Sequence, residues 1–291
     1  MKFTLSIGFC DVSHYLPLAR VAEETGWDSV CVPDGLFWYE ECSPYPYSET
    51  GERFWRPDTP FLDPFALVAA MGSVTERIRF YTNVLKLPVR NPLLVAKAAT
   101  SASALCGDRF ALGVGLSPWR EDFEALGEEW GDRGPRSGEM VEIIRGISRG
   151  GTFSFAGKYY DIPAMEIAPV PKAPMPIYFG GLADPVLHRA ARLGDGYIWW
   201  ENARSTVADF KDILARLRSY LAAEKRDAAA FEIKALPSAI DLDGMRRLAD
   251  LGVTDLIVMP WFLYPGNPTD LNFCIDSVRR FSQDIIPQFH S

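Results

Sequence analysis

Short apolar or β-branched runs alternate with amphipathic stretches of helical length along this chain, and that alternation restricts its architecture more than any single motif does. The runs lie at Phe3–Phe9, Ser29–Val32, Ile78–Leu85, Phe110–Val114, Ile177–Gly181, Gly196–Trp200, Glu232–Ala239 and Asp255–Met259. Between and after them come helical stretches at Tyr15–Thr25, closed by Gly26, then from Asp63-Pro64 and from Asn91-Pro92, then at Arg136–Arg149, Asp184–Leu193, Val207–Ala222, Asp243–Leu251 and Leu271–Ile286. Asp-Pro and Asn-Pro are start signals, because the side-chain oxygen caps an orphan N–H and a first-turn proline forfeits no helical bond. Eight such units predict an α/β protein, a closed (β/α)8 TIM barrel spanning residues 1–291 as one domain. The competing open, doubly wound sheet needs a switch point and usually has fewer strands.

Two stretches interrupt the repeat. Glu40–Leu62, an insertion after strand two, is rich in Pro, Tyr and Trp and lacks helical period, which marks it as a lid. The insertion before strand five, residues 150–176, opens with a hairpin signal over Thr152–Asp161 and continues through prolines.

Composition narrows the partners. With 48% hydrophobic residues the chain can bury a large core, and a net charge of -8 argues against nucleic acid or an anionic membrane, leaving a small-molecule substrate as the expected partner. Five scattered cysteines without a C-x-x-C pair, together with no signal-peptide pattern and no long apolar span, place the chain in the cytoplasm. Three distant histidines, His14, His188 and His290, give no expectation of a metal.

A barrel of this kind binds ligands where its strands end. That rim holds Asp34, Asn83, Leu116, Ser117, Glu121, Gly180-Gly181-Leu-Ala-Asp184, Trp199, Trp200 and Trp261, with His14 close to the first strand. The glycine pair leaves backbone N–H groups open to a phosphate, or serves a tight turn needing positive φ. His14 is a candidate proton donor or a capping group; Glu121 is a candidate acid or a carboxylate favoured by a helix dipole. Asp34, ending a buried strand, must be hydrogen-bonded, paired or ligand-facing, with an N-cap as its plain alternative. A hydrolase or aldolase would need a reactive lysine, and Lys86 and Lys234, the nearest candidates, show no partners in the sequence.

Several stretches carry a resemblance. Thr75-Glu-Arg-Ile-Arg79, Arg90-Asn-Pro-Leu-Leu-Val-Ala-Lys97, Gly107-Asp-Arg-Phe-Ala-Leu-Gly-Val-Gly115, Ala190-Ala-Arg-Leu-Gly-Asp-Gly196 and Phe281–Pro287 resemble the bacterial luciferase-like oxidoreductase superfamily, in order and spacing, over about residues 15–289. The stretch with Pro44-Tyr-Pro-Tyr-Ser48 and Pro57-Asp-Thr-Pro60 is similar to its coenzyme F420-dependent branch. The resemblance implies a (β/α)8 barrel that binds F420, or alternatively FMN, at the strand ends, and homodimers are common in it. It implies cofactor contacts at Asp34, at the Asn83-Val84 bulge with a non-prolyl cis peptide, at Leu116 and Ser117, and at Gly180, Gly181, Ala183 and Asp184 on the phosphate side.

Two departures qualify what it implies about the reaction. Relatives commonly place a histidine after the strand-two aspartate, and some a glutamate after strand four; here those positions hold Gly35 and Pro118. Reduction of an activated double bond, a different proton donor, or oxygen chemistry if the cofactor is FMN then suits the chain better than alcohol or sugar dehydrogenation. The expected enzyme is an F420-dependent oxidoreductase moving hydride to or from a small apolar substrate, with Trp38, Tyr39, Trp199, Trp200 and Trp261 shaping the cavity and His14 or Glu121 supplying the proton. Its rivals are an FMN-dependent monooxygenase fed by a flavin reductase and a non-catalytic flavin-binding protein.

Overall fold

The computed structural model describes residues 1–238 and 241–289; the expected strand end at Ala239, and His290, lie outside the described residues. Eleven strands are described: β1 (Lys2–Ser6), β2 (Ser29–Val32), β3 (Arg79–Thr82), β4 (Leu85–Lys86), β5 (Phe110–Gly115), β6 (Phe153–Ala156), β7 (Asp161–Met165), β8 (Ile177–Gly180), β9 (Gly196–Trp200), β10 (Glu232–Leu236) and β11 (Asp255–Val258). The helices are α1 (Tyr15–Glu24), α2 (Pro64–Gly72), α3 (Pro92–Leu105), α4 (Arg120–Leu126), α5 (Arg133–Ile147), α6 (Asp184–Leu193), α7 (Val207–Ala223), α8 (Leu242–Asp250) and α9 (Leu271–Asp284).

Parallel pairing runs β3-β2-β1-β11-β10-β9-β8-β5 and closes through β3–β5, so eight strands form the expected barrel. Closure has a local cause at Gly113. A Cβ there would lie 1.9 Å from the Thr82 carbonyl oxygen, so only glycine lets β5 come this close to β3. The Thr82 hydroxyl ties the seam, donating to the Gly113 carbonyl at 2.6 Å and accepting from its N–H at 2.9 Å.

The start signals act as expected. Asp63 accepts from Phe65 N and Ala66 N at 3.0 Å, and Asn91 from Leu93 N at 2.9 Å; each cap contributes about 1 kcal/mol. Several boundaries shift by one to three residues, two of them with a local cause. The first strand stops at Ser6, because the chain turns at Phe9, which has a φ of 64° and an exposed ring. The third run divides into β3 and β4 around the Asn83-Val84 peptide, which is cis.

Apolar side chains pack in two places. The outer layer lies between strands and helices, while Cys31, Tyr81, Ala111, Tyr178, Ile198 and Ile257 fill the barrel interior. Lys234 is also inside, donating to Asp255 at 2.5 Å and pairing with Glu232 at 2.8 Å above the Tyr81 and Tyr178 rings. Burial opposes its charge, yet Asp255 and Tyr178 outweigh burial and hold its pKa above the ordinary lysine value. This corrects the partnerless lysine of the sequence reading: the partners come from a neighbouring strand and from two residues away, and they keep the amine from acting as a nucleophile.

Residues 33–63 cross from β2 to α2 without a described helix or strand, and the β6–β7 hairpin is antiparallel and precedes β8. Among the described residues no helix is long and apolar enough to cross a membrane, and no group of three or more His, Cys, Asp or Glu side chains could hold a metal ion.

Candidate active site

A cavity of about 1010 Å³ opens where the barrel strands end, roofed by residues of the 33–63 segment. It is large enough for a drug-sized ligand. Its floor is the strand bulge. Val84 packs against two glycines: a Cβ on Gly115 would stand 2.6 Å from Val84 Cγ2, and one on Gly180 3.0 Å from Val84 Cγ1. Together the three residues form a closely packed apolar floor, and a side chain at 115 or 180 would have to displace Val84.

Gly181 has a φ of 133°, a conformation that L side chains rarely adopt, and its carbonyl accepts the Tyr197 hydroxyl at 2.7 Å. The backbone N–H groups of Leu182 and Ala183, both at the cavity wall, find no backbone acceptor among the described residues. Asp184 belongs elsewhere. Its carboxylate accepts from Arg216 at 2.8 Å and from the Tyr220 hydroxyl at 2.8 and 2.9 Å, tying α6 to α7 outside the cavity.

Asp34 answers its burial by pairing. Arg90 grips both carboxylate oxygens at 2.8 Å, the Lys86 N–H donates to one of them at 2.8 Å, and the Asp34 side chain is 1% exposed. The carboxylate therefore does not face a ligand as expected; it anchors β4, and the exposed part of the residue is its backbone. Gly35 has a packing reason as well. A Cβ there would come within 2.5 Å of the Phe61 ring, so an aromatic of the roof occupies the space a side chain at 35 would need.

A second carboxylate, Asp122 on α4, is fully buried and was not singled out from the sequence. It accepts from Lys86 Nζ at 2.7 Å, Ser117 Oγ at 2.7 Å and the Tyr39 hydroxyl at 3.2 Å. Lys86, Ser117 and Tyr39 all line the cavity, as does Leu116. Ser117 reaches Asp122 from a φ of 61°. Burial and the Asp122 charge push the Tyr39 hydroxyl above the ordinary tyrosine range.

The expected proton donors lie off the cavity wall. His14 is buried at the turn before α1, and its Nδ1 has no hydrogen-bond partner among the described residues. Glu121 clamps the roof: it accepts from Ser43 N at 2.5 Å and Ser43 Oγ at 2.8 Å, and although burial raises its pKa, its own backbone N–H and these bonds take it below the ordinary value.

Of the five expected aromatics, Trp38, Tyr39 and Trp200 line the cavity. Trp199 and Trp261 do not: Trp199 is fully buried, stacked on Phe210 at 4.1 Å with Nε1 donating to Ser205, and Trp261 sits in the outer core. The alternation of strand side chains, which sends Ile198 and Trp200 inward and Trp199 out, carried that signal. Sequence reading missed the roof cluster of Tyr45, Phe54, Trp55 and Phe61, and the guanidinium groups of Arg53, Arg133 and Arg204 at the wall. Arg53 lies 3.3 Å over the Trp38 ring, and Arg133 lies 3.4 Å over Trp130 with its Nε buried and unpartnered. None of these three arginines forms an ion pair with a carboxylate among the described residues, so the cavity wall is cationic within an acidic protein.

Residues 10–240 match the luciferase-like monooxygenase family. The chain is 40% identical to an uncharacterized protein of Mycobacterium tuberculosis over 98% of its own length and 99% of the relative's. It is 30% identical to an F420-dependent glucose-6-phosphate dehydrogenase of Gordonia bronchialis, over 68% of this chain and 56% of that enzyme. The fold is shared with monooxygenase RslO1 of Streptomyces bottropensis at a TM-score of 0.76, with 16% identity, covering 99% of this chain and 100% of that one. The chain belongs to the luciferase-like monooxygenase family.

Proposed function

We propose that this member of the luciferase-like monooxygenase family is an F420-dependent oxidoreductase that moves hydride between the deazaflavin and a small, largely apolar organic substrate. The observation that carries the reading is the pairing of an apolar floor, Val84 packed against Gly115 and Gly180, with the Leu182 and Ala183 N–H groups, which no backbone carbonyl accepts, and an Arg133 Nε without a partner among the described residues. A tricyclic ring with a phosphate-bearing tail needs both: a surface that no Cβ obstructs, and N–H groups for the anion. The relatives named F420-dependent dehydrogenases support the deazaflavin over FMN. When bound, such a cofactor supplies a two-electron hydride centre at C5.

The chain's own residues supply the rest. Arg90 and Asp34 hold β4, and with it the bulge, in place. Trp38 and Trp200 wall the substrate space, and the roof aromatics exclude water, which strengthens every polar contact inside. The test is equilibrium titration with F420 and with FMN, followed by fluorescence. Preference for F420 is expected; tighter binding of FMN would overturn the assignment and favour a monooxygenase.

A further inference from the structure

Gly35 and Pro118 leave the usual acid-base positions without an ionisable group, yet a reaction that adds hydride to carbon also needs a proton. Lys86 is placed to give it. Its side chain, 12% exposed, lines the cavity from the end of β4, beside the bulge. One of its three N–H bonds goes to Asp122, and the others have no protein acceptor among the described residues. Tyr39 and Ser117 are poorer candidates, because each spends its single hydroxyl proton on the same carboxylate. Asp122, wholly buried, in turn needs the lysine charge: an unpaired carboxylate there would be costly.

We propose that Lys86 is the catalytic acid, and that the substrate class is a carbonyl compound with a conjugated carbon–carbon double bond. The inference rests on the proposed hydride transfer, with reduced deazaflavin as the reductant. Hydride, carrying its electron pair, bonds to the β-carbon; the alkene π pair shifts to form a new double bond between the α-carbon and the carbonyl carbon, and the carbonyl π pair moves to the oxygen as an enolate. The Lys86 ammonium pairs with that oxygen and passes one proton to it, and the resulting enol tautomerises to the saturated carbonyl compound, completing the two-electron reduction. The neutral amine then recovers a proton from water. Asp122 is a positioning residue: it touches neither reactant and fixes the direction of Lys86.

Two measurements test this, using p-nitrophenol and cyclohex-2-en-1-one as probes. p-Nitrophenol mimics the enolate oxygen, and its absorbance reports its ionisation without the cofactor. Wild-type protein is expected to bind it as the yellow phenolate at a pH where the free phenol is protonated; Lys86→Arg keeps that signature, and Lys86→Met loses it. Because Lys86→Met strands Asp122, Lys86→Met in an Asp122→Asn background serves as the second variant. Phenolate bound equally by both methionine variants, or neutral or unbound phenol in the wild type, overturns the proposal.

In the second measurement, wild-type protein oxidises reduced F420 with cyclohex-2-en-1-one. Lys86→Met and Lys86→Arg each fall about 10²–10⁴-fold, since arginine holds the charge but cannot release a proton. Wild-type turnover retained in either variant, or no enone turnover by the wild type, overturns it. F420 affinity measured on the same variants separates the two readings: loss of binding in the wild type sinks the cofactor assignment, whereas unchanged binding with unchanged phenolate sinks only the lysine.

Discussion

Replacing Arg90 by methionine tests whether Asp34 is a structural anchor or a ligand-facing carboxylate. The substitution removes two bonds of 2.8 Å from a carboxylate that is 1% exposed, and leaves it, among the described residues, only the Lys86 N–H. Breaking one side of such a buried pair costs about 3–5 kcal/mol, most of it from the stranded charge. A domain's total stability is about 5–15 kcal/mol, so the loss is large. With a urea m-value of about 3 kcal/mol/M, the upper end for small proteins, the midpoint should fall by roughly 1–1.7 M. Asp34→Asn in the same background removes the stranded charge and should recover part of the loss, giving a clear coupling in a double-mutant cycle. Arg90→Met should also loosen β4 and weaken cofactor affinity, although Arg90 itself does not line the cavity. A midpoint shift below about 0.2 M, the size of an ordinary surface substitution, together with unchanged binding, would refute the anchor reading.

Three further outcomes follow from the geometry. Trp199→Ala should cost about 3–5 kcal/mol in stability and leave probe binding unchanged, whereas Trp200→Ala should alter probe binding at smaller cost; urea unfolding and titration on both variants check the split. Arg133→Gln should weaken F420 by roughly ten- to a hundred-fold, the size of a charged hydrogen bond, and leave the ring-only, phosphate-free deazaflavin unaffected in fluorescence titration. Glu232, opposed by burial but held down chiefly by Lys234, has its pKa lowered from 4.5 to about 2. A carboxylate depressed in the folded state stabilises above its unfolded value, so its contribution, roughly 3–4 kcal/mol from the shift and on the order of 2–3 kcal/mol once solvent screening of its partly exposed side chain is allowed for, is present above pH 4.5 and lost as pH falls toward 2. The stability gap between wild type and Glu232→Gln should therefore narrow across that window in acid titrations of unfolding.

The barrel was legible in the chain because its signals are local. Apolar runs bounded by turn residues, and Asp63 and Asn91 one residue ahead of prolines, specify elements through contacts within a few residues. The cavity's place at the strand ends, the bulge at Asn83-Val84 and the glycines of its floor could likewise be expected, from the repeat and from the resemblance. Partnership could not. Asp34 meets Arg90 across 56 positions, Asp122 meets Tyr39 across 83, and Lys86 meets Asp122 across 36.

Those distances explain the particular errors. A carboxylate at a strand end looks ligand-facing until the fold brings a guanidinium to it, and a lysine looks partnerless until the fold sets a buried carboxylate against its ammonium. His14 and Glu121 stood near strand ends in the chain, but the direction of a side chain is set by packing, which put one in the core and the other against Ser43. Sequence by itself determined the periodicity, and so the barrel and the rim on which a site could form. Tertiary structure decided which charges on that rim are spent on one another and which remain for a ligand, because pairing energy depends on distance and burial, and neither exists until the barrel has closed.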